Sequence, residues 1–241
     1  MRVLISGASE SASPVVGRLV DLDDQEAHHL RVRRVNEGAH VEVLDGAGLR
    51  GTGRLTRTGK RWQVEIQDFI RETRSASLTL AVAGGDRDRF SWMVEKAAEL
   101  GVTSIVPLRT VRIAGVATGL KDRHLPRLRR HALEVVKQCG AAWAPTPEDP
   151  VSLDVFLRRS SEAGVRWLAD ESGTPPPPIL SHDPVALVVG PEGGLTDGER
   201  SAVVSAGYVP ISLSLHTLRF ETAAIAGAAT VAAARLRGNH G

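Results

Sequence analysis

Short apolar runs alternate with segments of helical periodicity from about residue 76 to the end of the chain. Parallel strands need a crossover between them, and a helix is the usual crossover, so this alternation predicts an α/β domain with a parallel sheet. The predicted strands are 77–83, 103–108, 165–170, 185–190 and 209–214, and the predicted helices are 86–101, 121–140, 197–207 and 221–238.

The N-terminal part of the chain has a different pattern. Residues 40–45 and 61–69 alternate apolar and polar side chains, as half-buried strands do, and the glycine-rich segment 46–53 lies between them as a turn region. Short strands with glycine turns predict a small β-barrel. We therefore expect two domains, residues 1–73 and 76–241.

Composition excludes several classes of protein. Apolar residues make up 42% and charged residues 24% of the chain, which is typical of a globular protein with a real core. No apolar run approaches the roughly 20 residues of a membrane span, and no secretory signal is evident, so a cytoplasmic protein is expected. The single Cys139, interpreted as a small core residue, excludes a disulfide framework and a multi-cysteine zinc site.

The histidines do not predict a metal site. His28 and His29 are adjacent, so their side chains point apart and cannot readily chelate one ion. His124 and His131 lie among arginines, which repel a cation. We expect no bound metal.

Positive charge is concentrated in residues 109–137. This segment has eight basic and two acidic residues, a local excess of +6 in a chain whose net charge is +2. Such a segment suits a polyanion such as RNA, although a solvated helix face has the same composition.

The turn 190–194 reads Gly-Pro-Glu-Gly-Gly and follows a predicted strand. Pro191 stiffens it, Gly193 and Gly194 allow a ligand to touch the main chain, and Glu192 is its one functional group. Carboxyl ends of parallel strands are the usual ligand crevice, so the turn is a candidate binding site, with an ordinary tight turn as the alternative. A phosphate-binding lysine loop is absent, which weighs against an unrelated nucleotide-binding protein.

The segment 212–234 runs from a strand through a loop with Arg219 and Glu221 into a helix of small residues. Glu221 or Thr222 can cap or charge-complement the start of that helix. The alanines and glycine of 223–229 allow two backbones to approach closely, which predicts a close crossing of chain segments or a tight subunit interface.

Five segments together resemble one known family. They are GPEGGL (190–195), LRFETAA (218–224), EKAAELGV (95–102), KQCG (137–140) and HHLRVRRVNEG (28–38). Their order is similar to that of the signature segments of the RsmE family, bacterial small-subunit (16S) ribosomal RNA uridine-N3 methyltransferases of the SPOUT superfamily. The resemblance covers nearly the whole chain, and the first two segments are its specific part.

The resemblance implies a small N-terminal PUA-like β-barrel and a C-terminal parallel-sheet SPOUT domain whose last strand and helix form a trefoil knot. It also implies a homodimer that binds S-adenosylmethionine at the knot, and small-subunit ribosomal RNA or the 30S particle as substrate. The implied cofactor-binding residues are Leu168, Ala169, Asp170, Gly190, Pro191, Glu192, Gly193, Gly194, Leu213, Leu215, Leu218, Thr222 and Ala223.

Arg219 and Glu221 are the implied catalytic residues. Uridine N3–H is a weak acid, and Arg219 can stabilise the developing anionic uracil through a charge-assisted hydrogen bond, while Glu221 can orient the base or accept its proton. Alternatively, Arg219 simply pairs with Glu221, and Glu192 is only a helix-start charge. The candidate RNA-binding residues are Arg31, Arg33, Arg34, Arg112, Arg127 and Arg130.

Four positions depart from the family pattern. Phe220 stands where threonine is common, Ser214 and His216 replace the usual glycine and arginine, and Ala141 replaces a frequent arginine. These departures leave open a second function, a non-catalytic RNA-binding knot protein that retains the scaffold.

Overall fold

The computed structural model describes residues 1–5, 15–113, 120 and 122–238. The strands are β1 (Arg2–Leu4), β2 (Leu19–Asp21), β3 (His40–Leu44), β4 (Leu49–Thr58), β5 (Arg61–Arg71), β6 (Leu78–Val82), β7 (Ser104–Arg109), β8 (Thr146–Pro147), β9 (Val151–Ser152), β10 (Val165–Thr174), β11 (Val185–Val189) and β12 (Val209–Ile211). The helices are α1 (Asp24–Val32), α2 (Arg87–Glu99), α3 (Leu125–Cys139), α4 (Leu153–Arg159), α5 (Asp197–Ser205) and α6 (Phe220–Gly238). Among these described helices, none combines the length and the apolar character that a bilayer crossing requires.

The chain divides into two compact units. The first comprises Met1–Arg74 and Leu133–Ala144, and the second comprises Ser75–Ala132 and Pro145–Gly241. Residues 133–144 hydrogen-bond to the rest of the first unit: Arg50 of β4 donates to the Gly140 carbonyl oxygen (2.5 Å), and the Trp143 indole donates to the Glu72 carbonyl oxygen just after β5 (3.0 Å). A segment far along the chain thus completes the N-terminal unit.

The first unit contains a five-stranded sheet in the order β1-β3-β4-β5-β2. Alternate residues of β3, β4 and β5 are buried, as the sequence pattern predicts for half-buried strands. Helix α1 was not predicted; its first turn is capped by Asp23, whose carboxylate accepts a hydrogen bond from the Glu26 amide (2.8 Å). The prediction of a small N-terminal β domain is confirmed.

The glycine-rich segment 46–53 is not only a turn, because β4 begins at Leu49 and contains Gly51 and Gly53. A Cβ on Gly51 would lie 2.3 Å from the Asp68 carbonyl oxygen, and one on Gly53 would lie 2.8 Å from that of Glu65. These glycines therefore allow close strand pairing, and the expectation of a turn across the whole segment was wrong.

Cys139 ends α3 and is exposed, so its interpretation as a core residue was also wrong. The buried positions of the surrounding segment are Leu128, Ala132, Val135 and Val136, which repeat at helical spacing. Cys139 continues the same helical spacing, but it is the last residue of α3 and is exposed there, so burial along the stripe ends before the helix does.

The second unit contains a parallel sheet in the order β12-β10-β11-β6-β7-β8, with β9 also paired to β7. Central strand β11 is buried along its whole length, as expected for a strand covered on both faces. The prediction of a parallel α/β domain is confirmed.

Helix α6 packs close to this sheet. A Cβ on Gly227 would lie 2.3 Å from a methyl carbon of Leu187 on β11, which confirms a close crossing of chain segments at the small residues of the helix. Near the other end of α6, the Arg235 guanidinium donates hydrogen bonds to the carbonyl oxygens of Ala76 (2.8 Å), Ser77 (2.9 Å) and Asp183 (2.9 Å).

Candidate functional site

A cavity of about 530 Å³ lies in the second unit beyond the ends of β11 and β12 and beside residues 168–172 of β10, where the pairing of β10 with β11 stops at Ala169. Because parallel strands present their carboxyl ends at one edge of a sheet, three chain segments distant in sequence meet there. The volume is in the range of small-molecule sites. The predicted residues that line the cavity are Leu168, Ala169, Asp170, Gly190, Pro191, Glu192, Gly193, Gly194, Leu213, Leu218 and Ala223.

Two predicted cofactor residues do not line the cavity. Leu215 is 98% exposed, and Thr222 is exposed on the first turn of α6. Their neighbours in the same loop, Ser214, His216 and Thr217, do line it. The motif therefore places the loop at the cavity, whereas the direction of each side chain depends on the tertiary fold.

The glycine turn, residues 190–195, forms one wall of the cavity. The Gly194 amide donates a hydrogen bond to the Pro191 carbonyl oxygen (2.7 Å), and Gly194 has φ of +71°, which a residue with a side chain adopts only with strain. Helix α5 follows, and its start is closed by reciprocal hydrogen bonds between Thr196 and Glu199.

Asp170 is held by a polar cluster that the sequence did not predict. Arg200 donates to the Asp170 carboxylate (Nε to Oδ2, 2.7 Å), and Ser172 donates to it through its hydroxyl (2.7 Å) and its amide (2.9 Å). Burial tends to raise the pKa of Asp170, but the hydrogen bonds from Ser172 and Arg200 outweigh it, and the pKa lies below its ordinary value. The cavity thus contains an ionised carboxylate with a fixed orientation.

We expect Asp170→Asn to lower the free energy of unfolding at pH 7, because the amide cannot form the ion pair with Arg200. A carboxylate with a lowered folded-state pKa stabilises the fold above its ordinary pKa of about 3.9, and this stabilisation disappears as pH falls through the lowered pKa. Urea denaturation of both proteins between pH 7 and pH 3 measures the difference, which should shrink with acid. Asp68→Asn, at an exposed carboxylate, is the control. If the difference in unfolding free energy between Asp170→Asn and the wild type did not change with pH, the ion pair with Arg200 would not be its cause.

Glu221 pairs with Arg89 rather than with Arg219, its partner in the alternative interpretation. Its carboxylate lies 3.6 Å from the Arg89 guanidinium of α2, and its other oxygen is buried and accepts no hydrogen bond from the residues that the structure describes. Arg219 is exposed, and its guanidinium has no partner within the described part of the chain. The alternative in which Arg219 forms an ion pair with Glu221 is therefore not observed. Neither side chain lines the cavity.

Phe220 both packs in the core and lines the cavity. Its ring centroid lies 6.4 Å from that of Phe90, and a Cβ on Gly84 would lie 2.6 Å from its ring carbon. The departure from the family pattern at this position is accommodated by the absence of a side chain at Gly84.

The predicted RNA-facing arginines fall into three groups. Arg31, Arg33 and Arg34 are exposed at the end of α1, and Arg127 and Arg130 are exposed on α3. The remaining one, Arg112, is directed at the glycine turn, where its guanidinium donates to the Gly193 carbonyl oxygen. Lys121, part of the same basic segment, lies outside the described residues.

A cluster of potential metal ligands occurs in the first unit. One ligand atom each from Glu26, His29 and Glu134 lies within 4.8 Å of the others. The Lys137 ammonium already occupies this cluster: it donates to the Glu26 carboxylate and lies 3.1 Å from His29 Nδ1. Since a lysine cation compensates the buried carboxylate, the arrangement is explained without a metal ion.

Two family profiles match the chain. A profile described as an RNA methyltransferase domain matches residues 72–232, and one described as an RNA methyltransferase PUA domain matches residues 22–67. The first alone covers more than half of the chain.

Individual relatives match over most of their length. Ribosomal RNA small subunit methyltransferase E of Rickettsia conorii is 27% identical over 90% of this chain and 89% of its own. The Synechocystis protein of the same name is 28% identical over 87% of this chain and 71% of its own. A crystal structure of ribosomal RNA small subunit methyltransferase E from Neisseria gonorrhoeae, bound to S-adenosyl methionine, superposes with a TM-score of 0.78 at 27% identity and covers 95% of this chain and 94% of that one.

Proposed function

The chain belongs to the RNA methyltransferase family, within the RsmE group that its motifs predicted, and from this premise we propose that it methylates N3 of a uridine in 16S ribosomal RNA with S-adenosylmethionine as methyl donor. The observation that carries the proposal is the cavity beyond the ends of β11 and β12 and beside β10. It lies on the motif segments through which the chain resembles the family.

The residues present fit S-adenosylmethionine. The glycine turn exposes main chain, because among the described residues beyond its two chain neighbours only Arg112 lies within 4 Å of the position that a Cβ would take on Gly193. Peptide N–H and C=O groups of the wall can bond the edge of an adenine, and the ionised Asp170 suits a positively charged ligand. When bound, the cofactor supplies an electrophilic methyl group.

Arg219 is the proposed catalytic residue. Its guanidinium, which has no partner among the described residues, follows the cavity-lining Leu218 directly, so it is available to hydrogen-bond a uracil carbonyl oxygen as negative charge develops on the ring. Of the two proposed catalytic residues, Glu221 has the lesser role. Its carboxylate pairs with Arg89, and this pairing suits orienting the base better than accepting its proton.

We also propose that the protein acts as a homodimer. The resemblance implies this state, and Leu215, 98% exposed in a loop that lines the cavity, is an apolar side chain that a second copy would cover. Sedimentation velocity should then report twice the mass of one chain.

The function is tested by analysing nucleosides of 16S ribosomal RNA by mass spectrometry. Cells that lack the gene should lose one N3-methyluridine, and the purified protein with S-adenosylmethionine should restore it on RNA or 30S particles from those cells. Calorimetry should detect cofactor binding by the protein alone. Binding without methylation would support the non-catalytic alternative, and neither binding nor methylation would overturn the proposal.

We expect alanine at Arg31, Arg33 or Arg34 to weaken RNA binding. Each exposed arginine that contacts a phosphate releases about one counterion, so the slope of log K against log salt should fall by about 1 for each variant. Filter binding at several salt concentrations measures the slope. Arg61→Ala, also exposed and in the same unit, is the matched control; equal slopes in all four variants would contradict an RNA-facing role for the end of α1.

A further inference from the structure

We propose that Arg112 is a positioning residue for the glycine turn rather than a phosphate-contacting residue of the RNA surface. It lies in a single 3₁₀ turn, Val111–Ile113, which follows β7. Its Nη1 donates to the carbonyl oxygen of Gly193 and lies 3.5 Å from that of Gly194. The guanidinium thus contacts two successive peptide groups of the cavity wall.

The glycine turn needs an external contact to be held in one conformation. Gly193 and Gly194 have no side chains that could pack, and glycine loses more conformational freedom on ordering than any other residue. Within the described part of the chain, one backbone hydrogen bond closes the turn, from the Gly194 amide to the Pro191 carbonyl oxygen (2.7 Å). Arg112 adds the missing constraint from outside.

The stem of Arg112 contributes as well as its charge. Its Cδ lies 3.4 Å from the position that a Cβ would take on Gly193, so the methylene chain covers the glycine where a side chain would otherwise stand. A long side chain that packs along its stem and donates at its tip is suited to hold a backbone turn in place.

A second contact fixes the segment that carries Arg112. The Val111 amide donates to Glu199 Oε1 (2.8 Å), while the other oxygen of Glu199 accepts from the Thr196 amide (2.9 Å) at the start of α5. Burial tends to raise the pKa of Glu199, but these hydrogen bonds lower it below its ordinary value, so the acceptor is ionised at neutral pH. The 3₁₀ turn is therefore tied to the glycine turn through Arg112 and to the start of α5 through Glu199.

This role rests on the proposed function, because its effect is on cofactor affinity. A turn that is already ordered in the free protein loses less conformational entropy when the cofactor binds. Loss of the Arg112 contact should therefore weaken binding of S-adenosylmethionine even with no RNA present. A phosphate-contacting arginine gives the opposite pattern, in which RNA affinity falls and cofactor affinity does not change.

The test is isothermal calorimetry of S-adenosylmethionine binding to the full chain without RNA. Arg112→Met retains the apolar stem and removes the donors, and we expect its dissociation constant to rise about 10-fold. Arg112→Lys retains one donor and should recover part of that loss. Arg109→Ala is the matched control, since Arg109 is exposed, lies three residues away and pairs with Asp122 (3.4 Å) rather than with the turn; its dissociation constant should not change.

Steady-state kinetics separate positioning from general damage. In Arg112→Met the KM for S-adenosylmethionine should rise while kcat with saturating cofactor stays within about two-fold of the wild type. If Arg112→Met binds the cofactor as the wild type does, the inference is wrong and the proposed function stands. If the wild type itself fails to bind, both are wrong.

Discussion

Arg219→Ala should lower kcat for methyl transfer about 100- to 1000-fold, the loss typical when one donor to a developing anion is removed. The Arg219 guanidinium has no partner within the described part of the chain, so its removal leaves no buried acceptor unsatisfied and should leave stability unchanged. Single-turnover methylation with saturating RNA and cofactor measures the rate.

Two comparisons make this result specific. Arg159→Ala also removes one exposed positive charge from the second unit and should leave kcat unchanged. Binding of S-adenosylmethionine to Arg219→Ala, measured by calorimetry, should be within two-fold of the wild type. An unchanged kcat would exclude Arg219 as the group that stabilises the anionic uracil. A methylation rate that is low at limiting RNA and normal at saturating RNA would show that Arg219 binds RNA instead.

Gly173→Ala should destabilise the protein by about 3 kcal/mol, at the upper end of the usual cost of overpacking. Gly173 lies near the end of β10, and a Cβ there would be 2.5 Å from the backbone nitrogen of Ile211 and 2.5 Å from the carbonyl carbon of Pro210. A side chain can rotate away from such a clash, but a backbone cannot, so β12 must shift. Urea denaturation monitored by tryptophan fluorescence measures the loss.

The same substitution should weaken cofactor binding, because Ile211 lines the cavity. Gly198→Ala is the matched control: Gly198 lies on α5, and no described residue outside its own helical turn has an atom within 4 Å of the position that its Cβ would take. There the exchange should leave stability unchanged or raise it by up to about 1 kcal/mol, as expected for glycine in a helix. Equal stability of the two variants would contradict a close crossing of backbones at Gly173.

Local patterns predicted much of the C-terminal fold. The apolar run 185–190 became β11, the periodic segment 86–101 became α2, and the small-residue segment 221–238 became α6. Strand and helix periodicities are properties of neighbouring residues, so a single sequence contains them. The short β8 and β9, of two residues each, carry no such period and were not predicted.

The sequence predicted which backbone segments form the candidate site, but it predicted fewer of the side-chain contacts within it. The turn 190–194 was recognisable because a strand followed by two glycines requires close approach. Nothing near Arg200 in the sequence indicates that it bonds Asp170, thirty residues earlier, and nothing near Glu221 indicates Arg89. Such pairs depend on which strands are neighbours in the sheet and in what register.

By itself, the sequence determined the alternation of strands and helices, the glycine turn and membership of the methyltransferase family, since each is recognised from short segments whose own residues lie within a few positions of one another. Only the tertiary structure decided that residues 133–144 complete the first unit, that Arg112 contacts the glycine turn and that Gly173 lies against the backbone of 210–211. These contacts join segments dozens of residues apart, and they form only where sheet order and register bring their atoms together.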